Sequence, residues 1–148
     1  MKIYTVPSKQ APLKLLLIAD PSKTRVQKYL EDGVCYVAED AGEILGACVI
    51  SPLAPATFEL MSIAVTPKKQ FKGIGSKLLK YVIADVKRRG GEKLEVGTGT
   101  FGYPLTFYQR AGFRVHAIER DHYVKTYDKP IWESGIQHRD MLRLVLVL

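Results

Sequence analysis

The chain has 148 residues, room for one compact domain at roughly 100–200 residues each. Its apolar content of 47% is enough for a buried core and excludes a disordered or fibrous protein. The net charge of +7 is local: residues 68–93 hold nine basic and two acidic side chains while the flanking stretches are near neutral, which points to an anion site and not to a uniformly cationic surface.

In chain order, an opening strand is predicted at 2–6 and a helix from 21 to about 30, stopped by Gly33. The early apolar run at 15–19 is too short for a membrane span, so a cytoplasmic protein without membrane contact is expected. Two apolar stretches, 34–38 and 44–50, flank the turn-like Asp40-Ala41-Gly42-Glu43 and predict an antiparallel hairpin. Pro52 and Pro55 are then expected to break the sheet. A third strand is predicted at 58–65, and a long amphipathic helix at 73–89, with Ile74, Leu78, Leu79, Val82 and Val86 on its apolar face. A strand at 93–96, a short helix at 104–110 and a strand at 113–118 follow. The tail from 119 to 139 is expected to be irregular, before a last strand at 142–147 that could pair with a second copy of the chain in a homodimer. The fold class is therefore α+β (mixed α/β), one domain over 1–148, with a mostly antiparallel sheet flanked by helices.

Cys35 and Cys48 lie in apolar, strand-like surroundings without metal-ligand spacing, which predicts buried free thiols and no metal. His116, His122 and His138 match no metal or triad spacing.

Chemistry concentrates where a strand ends at Val65, a basic turn follows, and Gly73 and Gly75 open the long helix. The first amides of a helix have no internal partners, and the peptide dipoles place partial positive charge there. Glycine lets a phosphate approach the backbone, and Lys72 and Lys77 add charge. The spacing does not fit a Walker A loop, which needs four residues between its glycines and Lys directly after the second. The same two glycines could also do no more than shape a helix start.

The run Gln70-Phe71-Lys72-Gly73-Ile74-Gly75, after Ile63-Ala64-Val65-Thr66-Pro67, resembles the Q/R-x-x-G-x-G/A motif of the GNAT superfamily of acetyl-CoA-dependent N-acetyltransferases. A second feature of that family follows in Phe107-Tyr108-Gln109-Arg110-Ala111-Gly112-Phe113. The resemblance implies acetyl-CoA as co-substrate and a small-molecule or peptide amine as acceptor. It implies that backbone groups of the Ile63-Ala64-Val65 stretch pair with the pantetheine arm and that Gln70, Phe71, Lys72, Gly73, Ile74, Gly75 and Ser76 hold the pyrophosphate. Tyr108 occupies the family position whose phenol protonates the departing thiolate, and Glu59 the place of a carboxylate base. Simple alternation would put Glu59 on one strand face with Met61 and Ile63. The sequence departs from the family in having no Asn between 94 and 110; Thr98 or Thr100 would have to make that contact.

Two rival readings arise. Gly97-Thr98-Gly99-Thr100-Phe101-Gly102 is a literal G-x-G-x-x-G with Glu119 downstream, as in a dinucleotide-binding fingerprint, although too little chain follows for a Rossmann domain. Lys77, Lys80, Lys87 and Arg88 share one helix face, as in a basic nucleic-acid-binding module, although no RNA- or DNA-binding motif spacing accompanies them.

Overall fold

A computed structural model describes residues 1–148, which divide into two compact units, 1–94 with Leu148 and 95–147. The first unit is built on an antiparallel meander of β1 (Lys2–Val6), β2 (Val34–Asp40), β3 (Glu43–Ala54) and β4 (Thr57–Val65), paired in that order. Asp40 pairs with Glu43, so the β2–β3 turn has two residues. Ala41 and Gly42 both have positive φ, the type I′ geometry whose twist matches that of the strands.

Between β1 and β2 run α1 (Leu13–Ala19) and α2 (Lys23–Asp32), with Ser22 capping α2 through its side chain. They cover one sheet face, where Leu15, Leu16, Val26, Tyr29 and Leu30 pack with Cys35, Val37, Ala47, Val49 and Ala64. Each such fully buried aliphatic side chain contributes about 1.5–3 kcal/mol. The opposite face takes α3 (Ile74–Arg88): a Cβ at Gly46 would touch Leu78 and Ile74, and the Tyr36 hydroxyl, one residue out of phase with Cys35 and Val37, donates to Asp85 on α3. Cys35 and Cys48 are buried free thiols, as expected.

The second unit takes the end of β5 (Lys93–Gly99), then α4 (Tyr103–Arg110), β6 (Arg114–Glu119), α5 (His122–Thr126), the small hairpin β7 (Trp132–Glu133) and β8 (Ile136–Gln137), and β9 (Met141–Val147). Its main strands lie in the order β5-β9-β6, with β6 and β9 antiparallel.

The expected α+β class holds, and three local expectations do not. Pro52 does not end the sheet; β3 runs on to Ala54, with an irregular register around the proline. The run at 15–19, for which no element was predicted, belongs to α1, whose N-cap is a proline without a side-chain cap and whose continuous apolar stretch carries no helical period. The tail at 119–139 holds a helix and a hairpin, both very short. Finally, β9 has β5 and β6 as neighbours, so the outer strand is β6 and the last strand offers no free edge to a second copy. No helix is long and apolar enough to cross a membrane.

Candidate active site

In the first unit the site is set by an irregularity in β4. Val49 pairs with Ser62 and Ile50 with Leu60, leaving Met61 as an extra residue, while β3 is regular against β2 over the same stretch. The bulge is therefore in β4. Residues paired across strands share a face, so Ile63, opposite Cys48, and Val65, opposite Gly46, lie on the α3 face. Glu59, opposite Ser51, falls on the face of Ala47 and Val49, under α1 and α2. Met61 packs on that same side, but the expected grouping of Glu59 with Ile63 is overturned, because the extra residue resets the alternation.

Beyond β4, the Thr66 amide donates to the Leu45 carbonyl, residues Pro67–Lys69 form a 3₁₀ turn, and the Gln70 side-chain amide donates back to the Val65 carbonyl at 3.0 Å. The Gln70 side chain thus ties the loop to the strand end. The next residues adopt left-handed backbone: Phe71 has φ 61° although it is not glycine, and Gly73, the N-cap of α3, has φ 83° and ψ 3°. Phe71 is 83% exposed, and left-handed strain of about 1–3 kcal/mol in a residue other than glycine gathers at functional loops.

The first backbone bond of α3 runs from the Lys77 amide to the Gly73 carbonyl at 3.1 Å. The amides of Ile74, Gly75 and Ser76 precede it and have no carbonyl of their own helix to donate to. No side chain caps this end and no acidic residue lies in the first turn. A Cβ on Gly73 would meet nothing within 4 Å, so the helix start is open beside that residue. With Lys68, Lys69, Lys72 and Lys77 in the same stretch, this helix start suits a phosphate group.

In the second unit, Tyr108 lies near the end of α4, 6% exposed, edge-on to Phe107 and to Phe113. Its carbonyl accepts from the Ala111 and Phe113 amides, which folds the Ala111-Gly112 corner under the helix. Of the two threonines considered in place of the missing Asn, Thr98 is buried and Thr100 exposed. The Gly97–Gly102 run has a local explanation. A Cβ at Gly97 would strike Met141 and Arg143, one at Gly99 the His138 ring, and one at Gly102 would lie 2.6 Å from Glu133 Oε2. These glycines make room for the chain's own side chains, and the helix they precede has only eight residues, so the dinucleotide fingerprint has no structural basis.

This order of strand, phosphate-type loop, long helix and aromatic helix is matched by a family model described as an acetyltransferase (GNAT) domain over residues 31–115. The chain belongs to the GNAT acetyltransferase family. It is 44% identical over 135 residues to the uncharacterized N-acetyltransferase YvbK of Bacillus subtilis strain 168, covering 90% of this chain and 87% of that one. Among solved structures it is similar to an IAA acetyltransferase from Bacillus cereus ATCC 14579, with TM-score 0.96, 42% identity and 99% of both chains covered. It is also similar to a GNAT family acetyltransferase from Elizabethkingia anophelis with acetyl-CoA bound, with TM-score 0.95, 40% identity and 99% and 97% coverage. The fold is thus that of a GNAT enzyme from end to end, and the protein is an acyltransferase.

As a GNAT protein, the chain carries one pairing that sequence inspection missed. His138, 8% exposed, bonds through Nε2 to Glu133 Oε1 at 2.8 Å and stacks on Phe101 with ring centroids 4.2 Å apart. The five-residue separation matches no motif, and the one sequence signal is the set of glycines that makes room for the two side chains.

Proposed function

We propose that this GNAT protein transfers the acetyl group of acetyl-CoA to a primary amine by direct attack within a ternary complex, using residues 1–148 as one catalytic domain. The observation that carries the reading is the start of α3, where Ile74, Gly75 and Ser76 amides lie uncapped behind two left-handed residues in a lysine-rich stretch. The acetyl-CoA bound to the 40% identical Elizabethkingia protein supports the same ligand here.

In this reading the amides from Phe71 to Ser76 hold the pyrophosphate, and Gln70 fixes the loop that presents them. Backbone groups of Ile63, Ala64 and Val65 run beside the pantetheine arm, and an amide there polarises the thioester carbonyl. The ammonium of the acceptor loses a proton to Glu59, directly or through water, and the free amine attacks the carbonyl carbon. The C–N bond forms, the C–S bond breaks, Tyr108 gives its proton to the departing thiolate, and the second proton shed by the acceptor nitrogen returns through water to the phenolate; each such acid or base contributes roughly 10²–10⁴-fold. A cysteine nucleophile has no place in this scheme. Burial pushes the Cys35 thiol up to about 11 and that of Cys48 higher still, so both stay protonated and inert.

Calorimetry with acetyl-CoA tests the phosphate assignment. Wild type should bind, and Gly75→Glu, which sets bulk and negative charge over the amides, should lower affinity by about 100-fold or more, or some 2.7 kcal/mol. Equal affinity in the two proteins refutes the assignment. The acceptor class is resolved by acetyl-CoA turnover over small amines, polyamines, aminoglycosides and peptide N-termini.

A further inference from the structure

Helix α4 lacks the usual means of holding its own N-terminus. Gly102 at the N-cap has no side chain to offer, and no acidic residue lies in the first turn. The negative charge comes instead from the β7–β8 hairpin. A Cβ on Gly102 would lie 2.6 Å from Glu133 Oε2 and 2.7 Å from Oε1, so the carboxylate rests directly against the helix start, where the dipole favours it.

Glu133 is held there by His138. A carboxylate only accepts, so the imidazole must carry its proton on Nε2 to make the 2.8 Å bond. The other ring nitrogen, Nδ1, is buried without a partner. A phenyl ring would stack equally well on Phe101 and fill the same space over Gly99 without burying an unsatisfied nitrogen. The imidazole therefore serves the bond to Glu133 and not the packing alone. The His138 amide is itself fixed by the Ile131 carbonyl at 2.8 Å, which closes the hairpin around the pair.

We propose that Glu133 and His138 are positioning residues for the acetyl transfer: the carboxylate, oriented by the imidazole, anchors the N-terminus of α4 and thereby sets the place of the Tyr108 hydroxyl. The inference rests on the reading of Tyr108 as the acid. A misplacement of about 1 Å costs up to roughly 100-fold in rate, so loosening this anchor acts on turnover and not on coenzyme binding.

The test measures kcat with the fastest acceptor of the amine panel, and acetyl-CoA affinity by calorimetry, for Glu133→Gln, His138→Phe, Tyr108→Phe and the double variant Tyr108→Phe/Glu133→Gln. Glu133→Gln and His138→Phe should each lower kcat about tenfold with acetyl-CoA affinity unchanged. The double variant should be no slower than Tyr108→Phe alone, because the effect of Glu133 passes through the phenol. His138→Gln, whose amide keeps a donor for Glu133, should recover most of the loss, and it decides the matter should His138→Phe fail to fold. A Glu133→Gln protein with wild-type kcat, or losses that multiply in the double variant, overturns the proposal while Tyr108 remains the acid. Full kcat in Tyr108→Phe overturns the acid assignment and the proposal with it.

Discussion

Asp85 shows how one buried charge can organise a helix. It is 5% exposed on the inner face of α3, accepts from the Tyr36 hydroxyl at 2.6 Å and from Arg89 at 2.7 Å, and pairs with Arg88. Burial alone works to raise its pKa, but the bonds from Tyr36, Arg89 and Arg88 outweigh it and hold the carboxyl below its usual value. A carboxyl depressed by folding adds stability that is complete above the unfolded value of about 4 and is lost as pH falls through the lower folded value. Asp85→Asn keeps an acceptor for Tyr36 and loses the charge, so it should be less stable than wild type by about 1–2 kcal/mol at pH 7. That gap should close in acid. Urea midpoints at pH 7 and below pH 4 decide it, and a gap independent of pH would show that the charge contributes nothing. The 3.6-residue period puts position 85 on the apolar face with Leu78 and Val82, so the conflict is visible in the sequence; its partner Tyr36, 49 residues away, is not.

At the scale of elements, legibility followed the strength of local signals. The hairpin around Asp40-Ala41-Gly42-Glu43 and the helix at 74–88 stand close to their predicted bounds, because a two-residue turn and a four-turn apolar stripe are specified by neighbours in the chain. The bulge at Met61 was not legible. It depends on the partner strand, and it changes which residues Glu59 lies beside. The same holds for Glu133 and His138, which acquire meaning only when Gly99 and Gly102 come against them. The bond from the Gln70 side chain to the Val65 carbonyl joins β4 to the loop before α3. Gln70→Ala frees the loop without removing any amide that would contact phosphate. Acetyl-CoA should then bind about tenfold more weakly while kcat at saturation is kept, since only uniform binding is lost. An unchanged KM for acetyl-CoA would show that the loop holds its shape without this bond.

Over the whole molecule, the excess of positive charge falls on one stretch: residues 68–93 span the loop and helix whose first amides carry the proposed phosphate site. The division into two units is not readable from composition, because no linker or shift in residue usage marks position 95. Coenzyme binding to the native chain alone must stabilise it. At a free concentration of one hundred times Kd the gain is about 2.7 kcal/mol, which for a chain of this length raises Tm by roughly 5–10 °C. If, as proposed, exposed lysines help to hold the pyrophosphate, screening should erode that gain: between 0.05 and 0.5 M salt the Debye length falls from about 14 to about 4 Å. Thermal melts of wild type and Gly75→Glu at a fixed acetyl-CoA concentration in both salts make the comparison. The shift should be large for wild type in low salt, smaller in high salt and absent in Gly75→Glu. An equal shift in the variant would place the coenzyme elsewhere on the molecule, and a shift indifferent to salt would leave the amides of α3 holding the phosphates without help from the lysines around them.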